Sequence, residues 1–348
     1  MGERVRVGVV GASGYTGAEL LRLLLAHPRV DITSVSAQSS AGQPLATALP
    51  AYFGLCDLTL ETVDTAAIAP RADFVFLCLP HGASHDVARE FLGRGVRVID
   101  LSADFRFRDP KNYERWYGVP HKAPELCAEA VYGLPERNRR EIAPARLVAA
   151  PGCYPTAVQL GLVPIVDGGL VVPSIIADCK SGVSGAGRTA KREILFSEVA
   201  GGLRAYSVVG HRHTGEMLDQ LSRAAGRDVR LTFVPHLVPM SRGILATIYA
   251  PLAGAATDEA VRAAFETAYT GEPFVHLLPV GAEPDTLHVR GTNRAHIAVS
   301  ADPHGGRVIV RVAIDNLGKG AAGQAVQCFN IMNGIDETTA LGGAAIFP

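Results

Sequence analysis

A cysteine that follows a Pro-Gly pair lies near the middle of the chain, in surroundings suited to covalent chemistry. Cys153 comes directly after Pro151-Gly152, and the run Thr156 to Val166 behind it can form a helix. At a helix N-terminus, unpaired backbone N–H groups and the positive end of the helix dipole favour thiolate over thiol. Because thiolate is the nucleophilic form, this position predicts covalent catalysis. A buried structural cysteine is the alternative interpretation of the same residues.

Two histidines and a glutamate form a second candidate group, in a stretch that opens a helix. They are His211, His213 and Glu216. Histidines at i and i+2 followed by Glu can suggest metal ligands, but no further His, Asp or Cys completes a recognised set, so we expect no metal. One histidine here can instead exchange a proton with the thiol, provided that the fold brings the two together.

A glycine-rich turn near the N-terminus has the context of a dinucleotide-binding site. The strand-like run Val5 to Val10 leads into the turn 11–17, and a helical pattern with an apolar face follows over 18–25. Glycines keep such a turn tight and let a pyrophosphate reach the N–H groups at the helix start. The spacing is GxxGxxG and not the commoner GxGxxG, so a plain βα turn with packing glycines is the alternative. The candidate cofactor-binding residues in this turn are Gly11, Ser13, Gly14, Tyr15, Thr16 and Gly17.

The end of the second predicted strand, 30–37, favours NADP(H) over NAD(H). An NAD-preferring fold tends to carry an acidic residue at this strand end, which binds the ribose 2′-hydroxyl. Here the strand is followed by Gln38, Ser39 and Ser40, with no carboxylate. Hydroxyls and backbone N–H groups at Ser39 and Ser40 can accommodate a 2′-phosphate, and we therefore predict NADP(H).

Two later strand ends add candidates, because ligands of open α/β sheets bind at the carboxyl ends of the strands. The apolar run 73–79 ends in Pro80-His81-Gly82, which we assign to the cofactor site. The next run, 95–101, is followed by Arg106, a candidate clamp for a carboxylate or a phosphate.

A basic loop rich in glycine and serine, 180–188, supplies further candidates for substrate binding. Its backbone N–H groups and cations can hold an oxyanion, with Ser181, Gly182 and Arg188 as the candidate residues. A flexible connection is the alternative, and the residues alone leave both interpretations open.

A change of character near residue 150 predicts two domains. Strand and helix patterns alternate up to a strand at 147–150, which delivers Cys153 to the carboxyl edge of a parallel sheet. The second half shows the strands of a mixed, largely antiparallel sheet. We predict an α/β protein with an NADP-binding Rossmann domain over 1–152 with 320–348, and an α+β catalytic and oligomerisation domain over 153–319. We expect the nicotinamide and the thiol to lie side by side.

Length and composition are typical of a two-domain globular protein. The 348 residues are 48% hydrophobic and 19% charged, and the net charge of −1 gives no global basic field for nucleic acid or an anionic membrane. No apolar run reaches the length of a membrane span, and the strand-like N-terminus leaves no room for a signal peptide. The six scattered cysteines fit neither a disulfide framework nor a zinc site and favour a reducing cytoplasm.

Six segments, in order along nearly the whole chain, resemble the N-acetyl-gamma-glutamyl-phosphate reductase family. They are Gly11 to Gly17, Leu79 to Gly82, Pro151 to Thr156, Ser181 to Arg188, His211 to Glu216 and Asn316 to Gly320. The cysteine and histidine segments are the specific ones, whereas many dehydrogenases share the glycine turn. The resemblance implies an NADPH-dependent enzyme of arginine biosynthesis that assembles as a homodimer or homotetramer. It also implies a fold like that of glyceraldehyde-3-phosphate and aspartate-semialdehyde dehydrogenases.

The resemblance also implies roles for individual residues. It places the active-site cysteine at Cys153 and the thiol-assisting histidine at His211, with Glu216 as its orienter, and it adds Asn316 and Gly320 to the cofactor-binding residues. In this mechanism Cys153 attacks the acyl phosphate of N-acetyl-L-glutamyl 5-phosphate, expels inorganic phosphate and forms a thioester. Hydride from NADPH then reduces the thioester to N-acetyl-L-glutamate 5-semialdehyde.

Four alternative functions are weighed against this one. Aspartate-semialdehyde dehydrogenase and the lysine-pathway N-acetyl-aminoadipyl-phosphate reductase use the same thiol and cofactor chemistry, and motif spacing does not exclude them. An NADP-binding regulatory protein without turnover is disfavoured by the intact set Cys153, His211 and Glu216. A cysteine hydrolase is disfavoured because its dinucleotide turn would have no purpose.

Overall fold

The computed structural model describes residues 3–254, 256–302 and 304–347. Among these residues the chain divides into two compact units, 3–151 with 321–342 and 152–320 with 343–347. The predicted boundaries lie one residue from the first two divisions, after 151 and after 320. The end of the chain differs, because the sequence analysis assigned 320–348 to the first domain. Ile346 instead bonds within the second unit, where its N–H donates to the carbonyl of Arg290 over 3.1 Å. Of this tail, Pro348 lies outside the described residues, as do Met1 and Gly2 of the predicted first domain.

The first unit is a parallel sheet with helices in the connections. Its strands are β1 (Val5–Val10), β2 (Val30–Ser36), β3 (Phe74–Leu77), β4 (Arg97–Asp100), β5 (Val131–Tyr132) and β6 (Leu147–Ala149). Its helices are α1 (Tyr15–Leu25), α2 (Leu45–Ala48), α3 (Thr65–Ile68), α4 (Ser84–Gly93), α5 (Pro110–Tyr117), α6 (Pro124–Glu129), α7 (Pro135–Ile142) and the later α12 (Gly323–Met332).

The strand order of this sheet places the turns after β1 and after β3, both of which carry candidate cofactor residues, at its topological switch point. The order is β2-β1-β3-β4-β6-β5, with every pair parallel. The chain leaves β1 toward β2 and later returns to the other side of β1 at β3, so the crevice between β1 and β3 opens at their carboxyl ends. All four residues of β3 are buried, as expected for a strand covered on both faces.

The second unit contains a mixed sheet and a long buried helix. Its strands are β7 (Ser174–Ser181), β8 (Arg204–Ala205), β9 (Arg230–Leu237), β10 (Ile244–Pro251), β11 (Val275–Leu277), β12 (Ala295–Asp302) and β13 (Arg307–Ile314). Its helices are α8 (Cys153–Asp167), α9 (Phe196–Val199), α10 (His213–Ala225) and α11 (Asp258–Tyr269), and a π-helical turn, Gly318–Ala322, precedes α12. The strand order is β11-β12-β13-β10-β7-β9-β8.

The pairing in this second sheet is mainly antiparallel. The pairs β7/β9 and β11/β12 are parallel, and the other four are antiparallel. Residues along β7 and β10 alternate between buried and more exposed positions, so one face of the sheet packs inward and the other faces outward. Strand β7 starts at Ser174, directly after Pro173, which has no N–H for a ladder.

Helix α8 is fixed to the inner face of this sheet by two features. A Cβ on Gly161 would lie 2.8 Å from Ile248 Cδ1 and 2.9 Å from Val312 Cγ2, so this glycine lets the helix backbone approach β10 and β13 closely. Pro164 lies inside the helix and cannot donate to the carbonyl of Leu160, four residues earlier. The hydroxyl of Tyr269 donates to that carbonyl instead, over 2.6 Å. These contacts hold the middle of α8 against β10 and β13.

Candidate active site

The candidate nucleophile occupies the first position of α8. Cys153 follows Gly152, which is the N-cap with extended backbone (φ −68°, ψ 156°) and no side-chain cap. The thiol-bearing residue is half-buried, and its neighbours in the helix are buried. Pro155 in the first turn has no N–H, so the donors at this helix end belong to Cys153, Tyr154 and the residues flanking them. This is the electropositive helix start that the Pro-Gly pair and the apolar run predict.

Glu216 holds the residue in front of the cysteine. The N–H of Gly152 donates to Glu216 Oε1 over 2.9 Å, and the glutamate side chain is almost fully buried in the first turns of α10. The resemblance implied that Glu216 orients His211. In the structure Glu216 contacts Gly152, and Nδ1 of His211 accepts the N–H of His213 over 3.1 Å, so the predicted orienting role of Glu216 stays a prediction. Glu216 therefore positions the start of α8.

Gly320 packs directly against the cysteine. A Cβ built on this glycine would lie 2.8 Å from Cys153 Cβ and 3.2 Å from its Cα. The N–H of Gly320 donates to the carbonyl of Asp315 over 2.9 Å, which holds the loop in place. The resemblance assigned Gly320 to the cofactor site. In the structure its position beside Cys153 leaves no room for a side chain.

His211 lies in an aromatic enclosure next to the first turn of α8. Its ring centroid is 5.7 Å from that of Tyr154, 5.6 Å from Tyr206 and 5.3 Å from Phe233. Burial, together with the smaller effect of the Arg212 charge, lowers the pKa of His211 to about 4. The structure thus brings His211 beside the residue that follows Cys153 and keeps the imidazole neutral at physiological pH.

Two tyrosines join this enclosure and were not singled out from the sequence. The hydroxyls of Tyr154 and Tyr206 lie 3.1 Å apart. Burial is the main cause that raises the pKa of Tyr206 to about 12, and burial also raises the pKa of Tyr154. Both phenols are therefore neutral at physiological pH. No signal in the sequence marks Tyr206, because its contact with Tyr154 depends on the fold.

The loop after β7 is held against the segment before β10. Gly182 N–H donates to the carbonyl of Gly243, and a Cβ on Gly182 would lie 2.8 Å from the carbonyl oxygen of Met240. Ser181 is buried, with its hydroxyl donating to the Gly182 carbonyl, whereas Arg188 is exposed. The first part of the predicted oxyanion loop is thus an ordered turn.

Asn316 ties this turn to its surroundings. Its Oδ1 accepts the N–H of Gly243 over 2.8 Å, and its Nδ2 donates to Ser184 Oγ over 2.9 Å. The side chain is 2% exposed. Asn316, a predicted cofactor residue, therefore has its amide engaged in bonds within the second unit.

The glycine turn of the first unit has the close approaches that a dinucleotide-binding turn needs. Gly11 has φ +85°, and a Cβ there would lie 2.4 Å from the carbonyl oxygen of Cys78. A Cβ on Gly17 would lie 2.6 Å from the carbonyl oxygen of Gly11. Gly14 is the N-cap of α1 and provides no side-chain cap, so the N–H groups of Tyr15, Thr16 and Gly17 form an anion-binding helix start. Ser13 lies within the same turn.

The end of β2 lies beside this turn. The N–H groups of Gly11 and Ala12 both donate to the carbonyl of Ser36 over 2.9 Å. Ser39 is exposed and Ser40 half-buried in the turn that follows. Glu61, which forms a β-bridge with Ser36 at this strand end, is paired with Arg71 at 2.8 Å. The strand end thus presents hydroxyls, as the sequence predicts.

The turn after β3 is anchored by a buried carboxylate that the sequence analysis did not identify as important. Asp104 is fully buried and accepts the N–H of Gly82 over 2.7 Å and the hydroxyl of Tyr113 over 3.1 Å. Gly82 has φ +83°, and His81 is exposed with its Nδ1 accepting the N–H of Ala103. This network fixes Pro80-His81-Gly82 at the carboxyl end of β3.

Arg106 is placed differently from the clamp that we expected. It is 6% exposed, and its guanidinium donates to the carbonyls of Ala150 over 2.9 Å and Leu101 over 3.2 Å. The side chain therefore ties the ends of β4 and β6 together. Its contacts with carbonyls are typical of a structural arginine.

Two general features complete the description. None of the helices in the described part of the chain combines the length and hydropathy that a bilayer crossing requires. Within the same residues, no cluster of three or more His, Cys, Asp or Glu side chains is placed to hold a metal ion.

Comparison with known proteins identifies the two units. Residues 6–145 match the semialdehyde dehydrogenase NAD binding domain, and residues 153–316 match the semialdehyde dehydrogenase dimerisation domain. Solved structures of aspartate semialdehyde dehydrogenase II from Vibrio cholerae and of the NADP-bound enzyme from Candida albicans each align with a TM-score of 0.72. Each covers 95% of this chain and 99% of its own, at 17% identity. These matches confirm the predicted fold class.

Relatives of known activity lie closer in sequence. N-acetyl-gamma-glutamyl-phosphate reductase of Azotobacter vinelandii is 52% identical over 345 residues, and that of Geobacter metallireducens is 53% identical over 346. Both alignments cover 99% of this chain and 100% of the relative. The family predicted from the motifs is therefore confirmed, as is its class, a nicotinamide-dependent oxidoreductase. The chain belongs to the N-acetyl-gamma-glutamyl-phosphate reductase family.

Proposed function

We propose that this protein reduces N-acetyl-L-glutamyl 5-phosphate to N-acetyl-L-glutamate 5-semialdehyde with NADPH, a step of arginine biosynthesis. The observation that carries the proposal is the position of Cys153 at the glycine-capped start of α8, with its backbone held by Glu216 and Gly320. The full-length identity of about half with reductases of this name supports the choice of substrate.

The chemistry needs a sulfur nucleophile because a carboxylate is a poor hydride acceptor and a thioester is an activated one. The Cys153 thiolate attacks the acyl carbon, the C–O bond to phosphate breaks, and inorganic phosphate leaves. Backbone N–H groups at the start of α8 can stabilise the oxyanion that develops on the acyl carbon. Bound NADPH supplies the hydride that reduces the thioester, and the aldehyde then leaves as the thiolate is restored.

The first unit fits a dinucleotide at the switch point between β1 and β3. A Cβ on Gly11 would collide with the Cys78 carbonyl, so this glycine allows the tight turn, and the glycine cap of α1 leaves its first N–H groups without a side-chain cap. We assign the pyrophosphate to the N–H groups of Tyr15, Thr16 and Gly17, and the 2′-phosphate to Ser39 and Ser40. Pro80, His81 and Gly82 complete this site in the first unit, and the family resemblance adds Asn316 and Gly320 as further candidate cofactor-binding residues.

The substrate carries a phosphate and a carboxylate, and the candidates for both are basic or rich in N–H groups. Ser181 and Gly182 lie in an ordered turn and Arg188 is exposed beyond it. We assign these three residues to the substrate anions. We also propose Arg106 as a substrate-binding residue. Its bonds to the carbonyls of Ala150 and Leu101 support a structural role in addition.

The assembly and compartment follow from the same proposal. The dimerisation domain covers the second unit, whose outward sheet face carries the partly exposed apolar residues Ile176, Val234, Tyr249 and Ile309. We propose a homodimer or homotetramer that uses this face. The chemistry needs a reduced Cys153, and this requirement places the enzyme in the cytoplasm.

Phosphate-dependent reduction of NADP⁺ with N-acetyl-L-glutamate 5-semialdehyde tests the proposal in the reverse direction. Turnover with this aldehyde, and little with aspartate semialdehyde or N-acetyl-aminoadipate semialdehyde, is the expected result. A preference for either competitor would assign the chain to that reaction. Catalytic efficiency with NADP⁺ well above that with NAD⁺ is also expected, and the reverse order would overturn the assignment of Ser39 and Ser40.

A further inference from the structure

We propose that the ion pair between Arg242 and Asp315 positions two parts of the active site relative to each other. One part is the turn 181–184, to which we assign substrate anions and which we call the anion turn. The other is the turn 315–320, which packs behind Cys153 and which we call the backing turn. The inference rests on the proposed function, since it concerns an acyl group that the anion turn and the sulfur must hold together.

The pair joins the ends of two neighbouring strands of the second unit. Arg242 lies just before β10 and Asp315 directly follows β13, and Ile244 of β10 pairs with Ile314 of β13. The guanidinium donates through Nε to Oδ2 of Asp315 and through Nη2 to Oδ1, each over 2.9 Å. Asp315 is fully buried, and the Arg242 side chain is 22% exposed. A two-pronged bond of this kind fixes both the distance and the orientation of its partners.

The Asp315 side of the pair shapes the backing turn. The carboxylate Oδ1 accepts the N–H groups of Leu317 over 2.8 Å and of Gly318 over 2.9 Å. The Asp315 carbonyl accepts the N–H of Gly320, and a Cβ on that glycine would lie 2.8 Å from Cys153 Cβ. One residue therefore holds the turn against which the cysteine packs.

The Arg242 side of the pair supports the anion turn. The N–H of Val183 donates to the carbonyl of Met240 over 2.9 Å, and the N–H of Ser184 donates to the carbonyl of Ser241 over 3.1 Å. These carbonyls belong to the two residues that directly precede Arg242. The position of the anion turn therefore depends on the position of this arginine.

Asn316 makes a second, neutral link between the same two turns. It lies in the backing turn, and its amide bonds the N–H of Gly243 and the Oγ of Ser184. Two points of attachment define an orientation that one point alone leaves free. Without the ion pair the turns would stay together through Asn316, but their relative orientation would no longer be fixed.

A charged pair at this place serves geometry more than stability. The attraction within a buried pair roughly offsets the cost of removing both charges from water, and apolar side chains of similar volume often stabilise a fold equally well. The charged fork adds a defined distance and angle. The reaction depends on both, because a displacement of about 1 Å between a nucleophile and its substrate costs on the order of 10²-fold in rate. Arg242 and Asp315 are thus positioning residues.

Arg242→Met tests the proposal in the full-length protein. The substitution breaks the link and leaves the bonds of Asp315 to the backing turn in place. We expect kcat of phosphate-dependent NADP⁺ reduction with N-acetyl-L-glutamate 5-semialdehyde to fall on the order of 10²-fold. KM for inorganic phosphate should change by less than about threefold, because backbone bonds hold the anion turn in shape. A raised KM with kcat unchanged would show that Arg242 contributes ground-state binding only, and would overturn the proposal.

Alkylation of Cys153 separates positioning from general damage to the site. Iodoacetamide carries no anion and needs only the sulfur, so its rate with Cys153 should stay within about twofold of the wild-type rate in Arg242→Met. The Cys153→Ser variant supplies the background from the other cysteines. A fall in this rate that matches the fall in kcat would show a collapsed site, as expected for a merely structural pair, and would contradict the proposal.

Arg262→Met is the matched control. Arg262 also pairs with a carboxylate of the second unit, that of Glu266, over 2.9 Å, and its side chain is 29% exposed. We expect kcat of this variant to remain within about twofold of the wild type, as is usual on loss of a surface ion pair. An equal fall in both variants would show that Arg242 has no specific role.

Two further variants keep the test decisive if Arg242→Met does not fold. Arg242→Met combined with Asp315→Asn leaves no unpaired buried charge, and it should still lose kcat on the order of 10²-fold because the fork is absent. Arg242→Lys keeps the charge without the fork, and its kcat should lie between that of the wild type and that of the double variant. Wild-type kcat in the double variant would show that the reaction does not need the pair.

The same measurements distinguish failure of the proposed function from failure of the positioning role. The kcat ratios are taken with whichever of the three semialdehydes the wild type oxidises best. A preference for aspartate semialdehyde or N-acetyl-aminoadipate semialdehyde rejects the proposed function, and the ratio of variant to wild type then still decides the role of the pair. A wild type that oxidises none of the three rejects both.

Discussion

The starts of helices α1 and α8 share one local geometry and differ in what occupies it. Each has a glycine N-cap with extended backbone, Gly14 at φ −76°, ψ 166° and Gly152 at φ −68°, ψ 156°, and neither has a side-chain cap. At α1 the glycines leave the helix end open toward the crevice of the parallel sheet. At α8 the N–H of Gly152 is bound by Glu216, and Gly320 packs behind the cysteine.

This difference shows how the positive end of a helix dipole can serve two purposes. An open helix N-terminus attracts a mobile anion such as a pyrophosphate. A helix N-terminus that is packed from behind and carries a cysteine at its first position stabilises an anion that belongs to the protein. In our proposal the α1 start is therefore a binding site, and the α8 start is a reactive one.

Replacing Cys153 by serine should have the largest effect, because it removes the anion of α8 and leaves α1 intact. We expect the rate of acyl-phosphate reduction to fall on the order of 10⁴-fold or more, as it does in other enzymes that lose their nucleophile. NADPH affinity, measured by calorimetry, should stay near that of the wild type. Turnover that survives the substitution would show that the chemistry does not depend on this sulfur.

Gly320→Ala should have the next largest effect, since its Cβ would lie 2.8 Å from that of Cys153. Displacement of a reacting group by about 1 Å costs on the order of 10²-fold, so we expect kcat to fall by about that factor. Gly93→Ala is the matched control, because a Cβ there meets nothing within 4 Å. If kcat of both variants matched that of the wild type, the packing behind Cys153 would have no catalytic importance.

Two glycines of the first turn test the α1 side of the comparison. In Gly11→Ala the new Cβ would lie 2.4 Å from the Cys78 carbonyl oxygen, on a residue with φ +85°. We therefore expect the unfolding free energy to fall by ~1–3 kcal/mol and the NADPH affinity to fall at least about tenfold. Gly14→Ala has its nearest contact at 3.8 Å and should unfold within about 0.5 kcal/mol of the wild type. Urea denaturation and calorimetry measure both quantities. Equal unfolding free energies for the two variants would contradict the claim that a side chain at Gly11 strains the turn.

The pH dependence of stability should show the smallest effect. The folded-state pKa of His211 is about 4 against 6.5 when unfolded, so the unfolded chain binds more protons between these values. The unfolding free energy should therefore fall as pH drops from about 6.5 to about 4, by up to ~1.4 kcal/mol per pH unit from this residue.

His211→Gln isolates that contribution. The buried histidines His27, His85 and His121, whose pKa values burial also lowers, titrate in both proteins and cancel in the comparison. The variant should show the shallower slope in urea denaturation across this range. Parallel slopes would mean that His211 titrates normally in the folded protein.

The local features of both helix starts were predictable from the sequence. The Pro-Gly pair and the apolar run behind it predicted the start of α8 at Cys153, and three glycines between a strand and a helix predicted the α1 turn. Such features depend on residues that are close in sequence. The apolar periodicity of residues 258–269 likewise predicts an amphipathic helix, and the structure has α11 at Asp258–Tyr269.

The contacts that complete the sites were not predictable, because they join distant parts of the chain. Glu216 lies 64 residues from the N–H that it accepts, and the Tyr154–Tyr206 contact spans 52. Arg106 has the residue type of an anion clamp, and only the fold shows the two carbonyls that it binds. The two-residue strand β5 is too short to produce a periodic pattern, and its place in the sheet comes from pairing with β6.

Mass spectrometry of the intact protein mixed with N-acetyl-L-glutamyl 5-phosphate, without NADPH, tests the central claim most directly. A single acyl adduct on Cys153 is expected, and it should disappear when NADPH is added, with one aldehyde formed for each adduct lost. An adduct on another residue, or aldehyde formation without any acylated Cys153, would contradict covalent capture at the start of α8.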